Sequence, residues 1–124
     1  MVRRFKEEST QPNRALQIWQ ILIAMAANRQ TTTYNALAQK LGYQGAGQFM
    51  SGLLDPVMLY CQANSLPPLT VLVVNQETGK PGAGLADALQ DTDQDRERVF
   101  NYRWFHIFPP TPQDFEEVLG RRNV

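Results

Sequence analysis

"TTTYNALAQKLGYQGAGQFMSGLL", residues 31–54, contains two short helical patterns with glycines between them. Thr33 is a typical N-cap residue, and Leu37 and Leu41 follow it at helical spacing. Gly42 is placed to end this first helix in the left-handed conformation. Beyond the turn, apolar residues at helical spacing predict a second short helix: Ala46, Phe49, Met50, Leu53 and Leu54. Two short helices joined by a glycine-containing turn predict a helix-turn-helix unit.

The segment before this unit predicts a long helix, "QPNRALQIWQILIAMAANRQ". Pro12 or Asn13 suits its first positions, and its apolar residues are spread almost all round the helix. Such a helix is typically buried at the centre of a core. The alternative is a dimer interface built on Trp19, Ile23 and Met25. Residues 1–11 are polar and predict a flexible N-terminal segment.

A further helix and a short β-structure are predicted after the unit. Asp55 and Pro56 suit the N-cap and first position of a new helix, which should end before the prolines at 67 and 68. "LTVLVV", residues 69–74, predicts a buried strand, and "NQETGKPG" predicts the turn of a β-hairpin or wing. This turn does not match a phosphate-binding loop, because Lys80 is followed by a proline that has no backbone N–H.

The C-terminal third predicts more helices. One should begin at Thr92 and run to about Trp104. Alternating aromatic residues leave a strand over 99–108 as the alternative, and we expect His106 to be packed and hydrogen-bonded.

The last predicted helix has strong end signals, with Thr111 as cap, Pro112 first and Gly120 at the end. The fold class is therefore predicted as α+β: a winged helix-turn-helix-like single domain, mostly helical, with a small β-hairpin and extra C-terminal helices. The core of this domain should span residues 12–85, and residues 86–124 should form the helical extension.

Length and composition agree with one globular domain. The chain has 124 residues, of which 43% are hydrophobic and 19% charged. The longest apolar run, residues 15–27, is too short for a membrane span, and the segment before it does not resemble a signal peptide. With a single cysteine, Cys61, no disulfide forms within the chain, which favours a reducing, cytoplasmic compartment.

The residues needed for common kinds of catalysis are missing from the sequence. One histidine and one cysteine cannot supply a zinc site, and no convincing Ser-His-Asp set or tuned carboxylate pair is present. Cys61 is expected to pack as a small apolar residue. We therefore expect a protein that is not an enzyme and that uses no metal or cofactor.

Charge is distributed unevenly, although the formal net charge is zero. Residues 1–54 carry six basic and two acidic side chains, whereas residues 86–117 carry eight acidic and three basic ones. A positive half attracts a phosphate backbone, but solvated faces that merely differ in charge explain the pattern equally well.

"TYNALAQKLG", "GQFMSGLL" and "LPPLTVLVVN", followed by a glycine-rich turn, resemble the DNA-binding domain of the alkylguanine-DNA alkyltransferases and the alkyltransferase-like proteins. The resemblance covers residues 30–85. It implies a winged helix that presents its second short helix to DNA. It also implies that Tyr34 corresponds to the family's tyrosine that helps to rotate the target phosphate, although an aromatic residue packed on the domain explains Tyr34 equally well.

The chain departs from this family at the reactive positions. Pro68 stands where the family has its reactive cysteine, Leu69 where it has histidine and Thr70 where it has arginine. Gln48 stands where the family has the arginine that fills the gap left by a flipped base. The resemblance therefore implies DNA binding without alkyl transfer.

The leading hypothesis is non-enzymatic DNA binding in the cytoplasm. Gln44, Gln48 and Ser51 would face the groove, and the phosphate contacts would come from Arg29, Lys40 and Lys80. The alternative is a protein-interaction module of a bacterial or phage accessory protein, whose contact surface, or mimic of DNA, contains Asp91, Asp93 and Asp95. Oligomeric state stays open, with a homodimer among the alternatives.

Overall fold

The computed structural model describes residues 1–6, 9–43, 50–75 and 92–122, with the backbone alone at residues 50, 51 and 122. These residues form an α+β fold that is mostly helical and includes a two-stranded parallel sheet. Three α-helices and the sheet come first, and two further α-helices follow in the C-terminal part.

Helix α1, Gln11–Ala27, is the buried helix that the sequence predicts. Thr10 caps it by accepting a hydrogen bond from the Asn13 backbone N–H at 3.4 Å, so the helix begins at the last residue of the predicted flexible segment 1–11. Trp19 is 0% exposed and Ile23 is 8% exposed. The prediction of a core helix is confirmed, and Trp19 is not available to a dimer partner.

Helix α2, Tyr34–Lys40, begins and ends as its local signals predict. The Thr33 side chain accepts a hydrogen bond from the backbone N–H of Ala36 at 3.1 Å. Gly42 has a φ of +91°, in the left-handed region that favours glycine. The chain therefore leaves α2 through the turn that Gly42 predicts.

Helix α3, Met50–Ala63, runs through the position where a new helix was predicted to start. Pro56 lies inside this helix, where it cannot donate the usual hydrogen bond to the carbonyl oxygen four residues earlier, that of Gly52. Nε2 of Gln11 donates to this carbonyl oxygen instead, at 2.8 Å. The prediction of a break at Asp55 and Pro56 is wrong because a side chain from α1 replaces the missing donor.

The small sheet joins two distant parts of the chain. Strand β1, Thr32–Thr33, pairs in parallel with strand β2, Val73–Val74. Leu69–Leu72 form a 3-10 helix, so the predicted strand over 69–74 is wrong except at its last two residues. All four residues of the 3-10 helix are buried, and an apolar run does not by itself distinguish a strand from a buried helical turn. The turn and second strand of the predicted β-hairpin fall on residues 76–91, outside the described ranges.

Helix α4, Thr92–Asn101, begins at the predicted residue and ends before Trp104. Trp104–His106 then form a second 3-10 helix, so the alternative of a strand over 99–108 is wrong. The side chain of His106 is exposed, which corrects the prediction that it is packed. Alternation of aromatic residues misled here: in a strand, Trp104, His106 and Phe108 would share one face, whereas Trp104 is buried and the other two are exposed.

Helix α5, Pro112–Arg122, begins with a reciprocal cap. The Thr111 backbone N–H donates to Oδ2 of Asp114 at 2.8 Å, and the Asp114 backbone N–H donates to the Thr111 hydroxyl at 3.2 Å. The predicted start is confirmed. The predicted end at Gly120 is wrong, because a glycine weakens a helix without blocking its hydrogen bonds.

Aromatic rings join α1, α3 and the C-terminal elements in one hydrophobic core. Trp19 of α1 meets Tyr60 of α3 and Trp104 edge to face, with ring centroids 5.6 Å apart in both pairs. Phe115 of α5 lies 5.7 Å from Tyr60. The C-terminal helices therefore complete the core around α1 and α3.

Candidate nucleic-acid interface

The candidate interface consists of the exposed side of α2, the turn that follows it and the first turn of α3; we call it the α2 face. Leu37 and Ala38 of α2 point into the core and are 0% and 1% exposed. The opposite side is polar and exposed, and it comprises Asn35, Gln39 and Lys40. Amide and ammonium groups are suitable donors to phosphate oxygens and base edges.

Arg14 of α1 is buried against the C-terminal end of α2. This side chain is 6% exposed, and its Nη1 donates to the backbone carbonyl of Leu41 at 3.3 Å and to Oε1 of Gln17 at 3.0 Å. Its guanidinium lies over the ring of Tyr43, 5.1 Å from the ring centroid. Carbonyl groups at the end of a helix lack partners within the helix, so Arg14 caps α2 and fixes the direction of the turn.

The first turn of α1 therefore contacts both helices of the α2 face. Gln11 binds the carbonyl of Gly52 in α3, and Arg14 binds that of Leu41 at the end of α2. Neither residue was among those predicted for the site. Arg14 could have been noticed in the sequence, because it is a cation in a helix that is otherwise apolar almost all round. Nothing in the sequence near Gln11 indicates its contact with α3.

Two predicted DNA contacts, Tyr34 and Lys40, lie at the ends of α2. Tyr34 is the first residue of the helix, and its half-buried ring packs against the hydrophobic core. Lys40 is the last residue of the helix, and its side chain is exposed. Tyr34 therefore combines a packed ring with an accessible part, and Lys40 lies beside the turn that Arg14 anchors.

Arg29 lies away from that turn and already has an acidic partner. Its Nη2 contacts the two carboxylate oxygens of Glu97 in α4 at 2.7 and 3.0 Å, and its guanidinium lies 4.8 Å from the centroid of the Phe100 ring. Both side chains of the ion pair are about half exposed, at 54% and 55%. Arg29 follows the C-terminal end of α1, whereas Arg14, which contacts the end of α2, lies near the N-terminal end of α1, roughly 20 Å of helical rise away.

Three residues predicted to bind DNA, Gln44, Gln48 and Lys80, lie outside the described residues. Ser51 lies in the first turn of α3, where the backbone alone is described.

The acidic residues of the alternative interface lie at the start of α4. Asp93 is exposed, and Asp95 is half-buried with an oxygen 3.3 Å from Nη1 of Arg98. Asp91 precedes the helix and is outside the described residues. Both described carboxylates lie in the first turn, where negative charge stabilises a helix, so their position has a structural explanation of its own.

Of the three positions that the resemblance sets against the reactive residues of the alkyltransferases, two are buried and Pro68 is half-buried. Leu69 and Thr70 are 0% and 1% exposed in the first 3-10 helix, and Pro68 precedes them. Cys61 lies in α3 with 1% of its surface exposed, as predicted for a small apolar residue. Burial raises the pKa of the Cys61 thiol to about 12, which outweighs the lowering effect of a backbone hydrogen bond at Leu69. Cys61 is therefore a neutral thiol at physiological pH.

Within the described ranges, no cluster of three or more histidine, cysteine or acidic residues is arranged to hold a metal ion. The helices in these ranges are also too short or too polar to span a bilayer. Comparisons with protein-family models, with curated proteins and with solved structures give no match to this chain.

Proposed function

We propose that this protein binds duplex DNA through the α2 face and that it is not an enzyme. The observation that supports this most strongly is the buried Arg14, which caps the C-terminal end of α2 while the polar side of α2 stays exposed. A buried arginine is costly unless it is well paired, so its use at the end of α2 indicates that the orientation of this helix matters. A helix that docks in a groove needs a fixed orientation relative to the rest of its domain.

In this proposal, sequence is read by the segment after the turn. Gln48 forms two hydrogen bonds with an adenine in this proposal, and Gln44 and Ser51 supply further donors to base edges. Lys40 and Lys80 bind phosphates, and Tyr34 contacts a backbone phosphate from the start of α2. Arg29 joins them after exchanging Glu97 for a phosphate. These three cations contribute about −3 to the log–log slope of the binding constant against salt concentration.

Alkyl transfer does not belong to the proposal, since a proline has no nucleophile to offer at position 68. The thiol of Cys61 does not replace the missing cysteine, because it is buried and protonated. After incubation with a duplex that contains an alkylguanine, the intact mass of the protein should be unchanged. Addition of one alkyl group would contradict this part of the proposal.

Fluorescence anisotropy with a labelled duplex of mixed sequence tests the binding itself. At low salt we expect a Kd on the order of 10 µM, typical of weak, charge-driven association. Lys40→Ala should reduce the salt slope by about 1, whereas Arg103→Ala, which removes one exposed cation beyond α4, should leave it unchanged. No binding at protein concentrations of about 100 µM would refute the proposal.

The second candidate is a protein-interaction module that uses the acidic segment. The observation in its favour is that Phe105 and Phe108, shortly after α4, are 65% and 94% exposed. Exposed aromatic residues are enriched at protein interfaces. Replacing Asp91, Asp93 and Asp95 by alanine should abolish binding of a protein partner while leaving DNA binding intact; if the variant retains the partner, the acidic segment is not the contact surface.

A further inference from the structure

Three exposed basic residues precede α1: Arg3, Arg4 and Lys6. The structure describes residues 1–6, and they contain no helix or strand. Within the described residues, none of the three forms a salt bridge. Their exposed side chains are accessible to an external anion.

The position of this basic segment follows from the hydrogen bonds of the first turn of α1. Gln11 donates to the carbonyl of Gly52 in the first turn of α3, and Arg14 donates to that of Leu41 at the end of α2. The chain therefore enters α1 directly beside the α2 face. Four residues lie between Lys6 and Gln11, so the two are at most about 17 Å apart along an extended chain.

A major groove is about 12 Å wide, so a chain of this reach extends from a helix in the groove to the neighbouring phosphates. In homeodomains, an extended basic arm that precedes the first helix reaches the adjacent minor groove, so a segment in this position can contact DNA. We propose that residues 1–6 bind the phosphate backbone of duplex DNA beside the groove that receives the α2 face. This inference rests on the proposed function and adds a contact that the helix-turn-helix pattern alone does not supply.

The charges of the segment determine what it contributes. Each arginine that neutralises a phosphate adds about 0.9 to the salt slope. Glu7 and Glu8 follow in the sequence, so their repulsion limits the gain in affinity. The segment should therefore change the salt dependence of binding more than the affinity at one salt concentration.

The test compares two double variants that remove the same charge. Arg3→Ala/Arg4→Ala removes two cations from the basic segment, and Arg103→Ala/Arg121→Ala removes two exposed cations, one just after α4 and one in α5. Anisotropy titrations of the full chain with one labelled duplex between about 50 and 200 mM salt give the slope for each protein.

We expect the magnitude of the salt slope to be smaller by about 2 in the first double variant. Between the lowest and highest salt concentration, its affinity should therefore fall by a factor about ten times smaller than that of the wild type. The second double variant should retain the wild-type slope. Equal slopes for the two double variants would overturn the inference and leave the proposed function standing. Failure of the wild-type chain to bind DNA would overturn both. Unchanged urea unfolding of both variants shows that the comparison concerns binding and not folding.

Discussion

At the scale of single residues, burial decides the chemistry of Cys61. The side chain is 1% exposed, and the pKa of its thiol is raised from 9.0 to about 12. In the unfolded chain the same thiol ionises at its ordinary pKa. Between these two values the folded protein holds a proton that the unfolded chain has lost, so folding is linked to pH.

The sign of this linkage predicts an alkaline loss of stability. Because the folded-state pKa of Cys61 is the higher one, its contribution is fully present below pH 9 and is lost as the pH rises toward 12. We expect the free energy of unfolding to fall by about 1 kcal/mol between pH 8 and pH 10. Urea unfolding under reducing conditions at pH 8, 9 and 10 measures this change in the free energy of unfolding.

Cys61→Ala is the control, because alanine keeps the site apolar and does not titrate. Tyr60 remains in this variant, and its pKa is also raised, first by partial burial and then by the charges of Asp114 and Cys61. Because its ordinary pKa is 10.0, Tyr60 contributes less than Cys61 to a loss of stability between pH 8 and pH 10. An equal loss in Cys61→Ala and the wild type would show that another group is responsible.

At the scale of secondary-structure elements, α3 depends on a donor from another helix. Pro56 leaves the Gly52 carbonyl without its helical partner, and Gln11 supplies one at 2.8 Å. We expect Gln11→Ala to lower the free energy of unfolding by about 1 kcal/mol, since it leaves this carbonyl without a protein donor. Urea unfolding measures the change.

A double-mutant cycle with Pro56→Ala tests the explanation. Alanine at 56 has a backbone N–H that can bond to the Gly52 carbonyl, so Gln11→Ala should cost much less in this background. The expected coupling is about 0.5 to 1 kcal/mol. Additive effects would mean that Gln11 stabilises the protein in some other way.

The same elements show which parts of the fold were predictable. Thr33, Gly42 and Thr111 act through hydrogen bonds and dihedral angles within a few residues of themselves, and the helix ends they predict are confirmed. The break at Pro56 and the strand over 69–74 were wrong because their outcome depends on distant partners, Gln11 in α1 and the parallel pairing with β1. Local patterns contain no information on those contacts.

The candidate site shows the same division. The polar side of α2 was readable from helical spacing, and Lys40 is exposed there as expected. The sequence did not predict which groups the two arginines contact. Arg14 is buried and donates to the carbonyl of Leu41, and Arg29 is bound to Glu97 of α4. Whether an arginine faces a phosphate, a carbonyl or a carboxylate depends on tertiary contacts.

At the scale of the whole molecule, α5 is required because it closes the aromatic core. Phe115 is 0% exposed and lies 6.4 Å from Trp19 and 5.7 Å from Tyr60. Phe115→Ala should lower the free energy of unfolding by about 3 to 5 kcal/mol, because it removes buried surface and leaves a cavity. Phe108→Ala removes the same group from a side chain that is 94% exposed and should change it by less than about 0.5 kcal/mol. Similar losses in urea unfolding would show that α5 does not complete the core.

The ion pair between Arg29 and Glu97 links the C-terminal helices to the proposed DNA contacts. If Arg29 binds a phosphate, it must first leave Glu97, and the carboxylate competes with the DNA. Glu97→Gln removes this competition and should increase DNA affinity several-fold in anisotropy titrations at low salt. The pair is about half exposed, so the cost in stability should stay below about 1 kcal/mol.

Glu117→Gln is the matched control, because it removes the same charge from an exposed residue of α5. A gain that is larger for Glu97→Gln than for Glu117→Gln identifies release of Arg29 as the cause, whereas equal gains reflect net charge alone. In an Arg29→Ala background the two glutamate variants should become equivalent, since no arginine is left to release. If Glu97→Gln keeps its advantage there, Arg29 does not contact the phosphates, and Glu97 opposes DNA binding by direct repulsion.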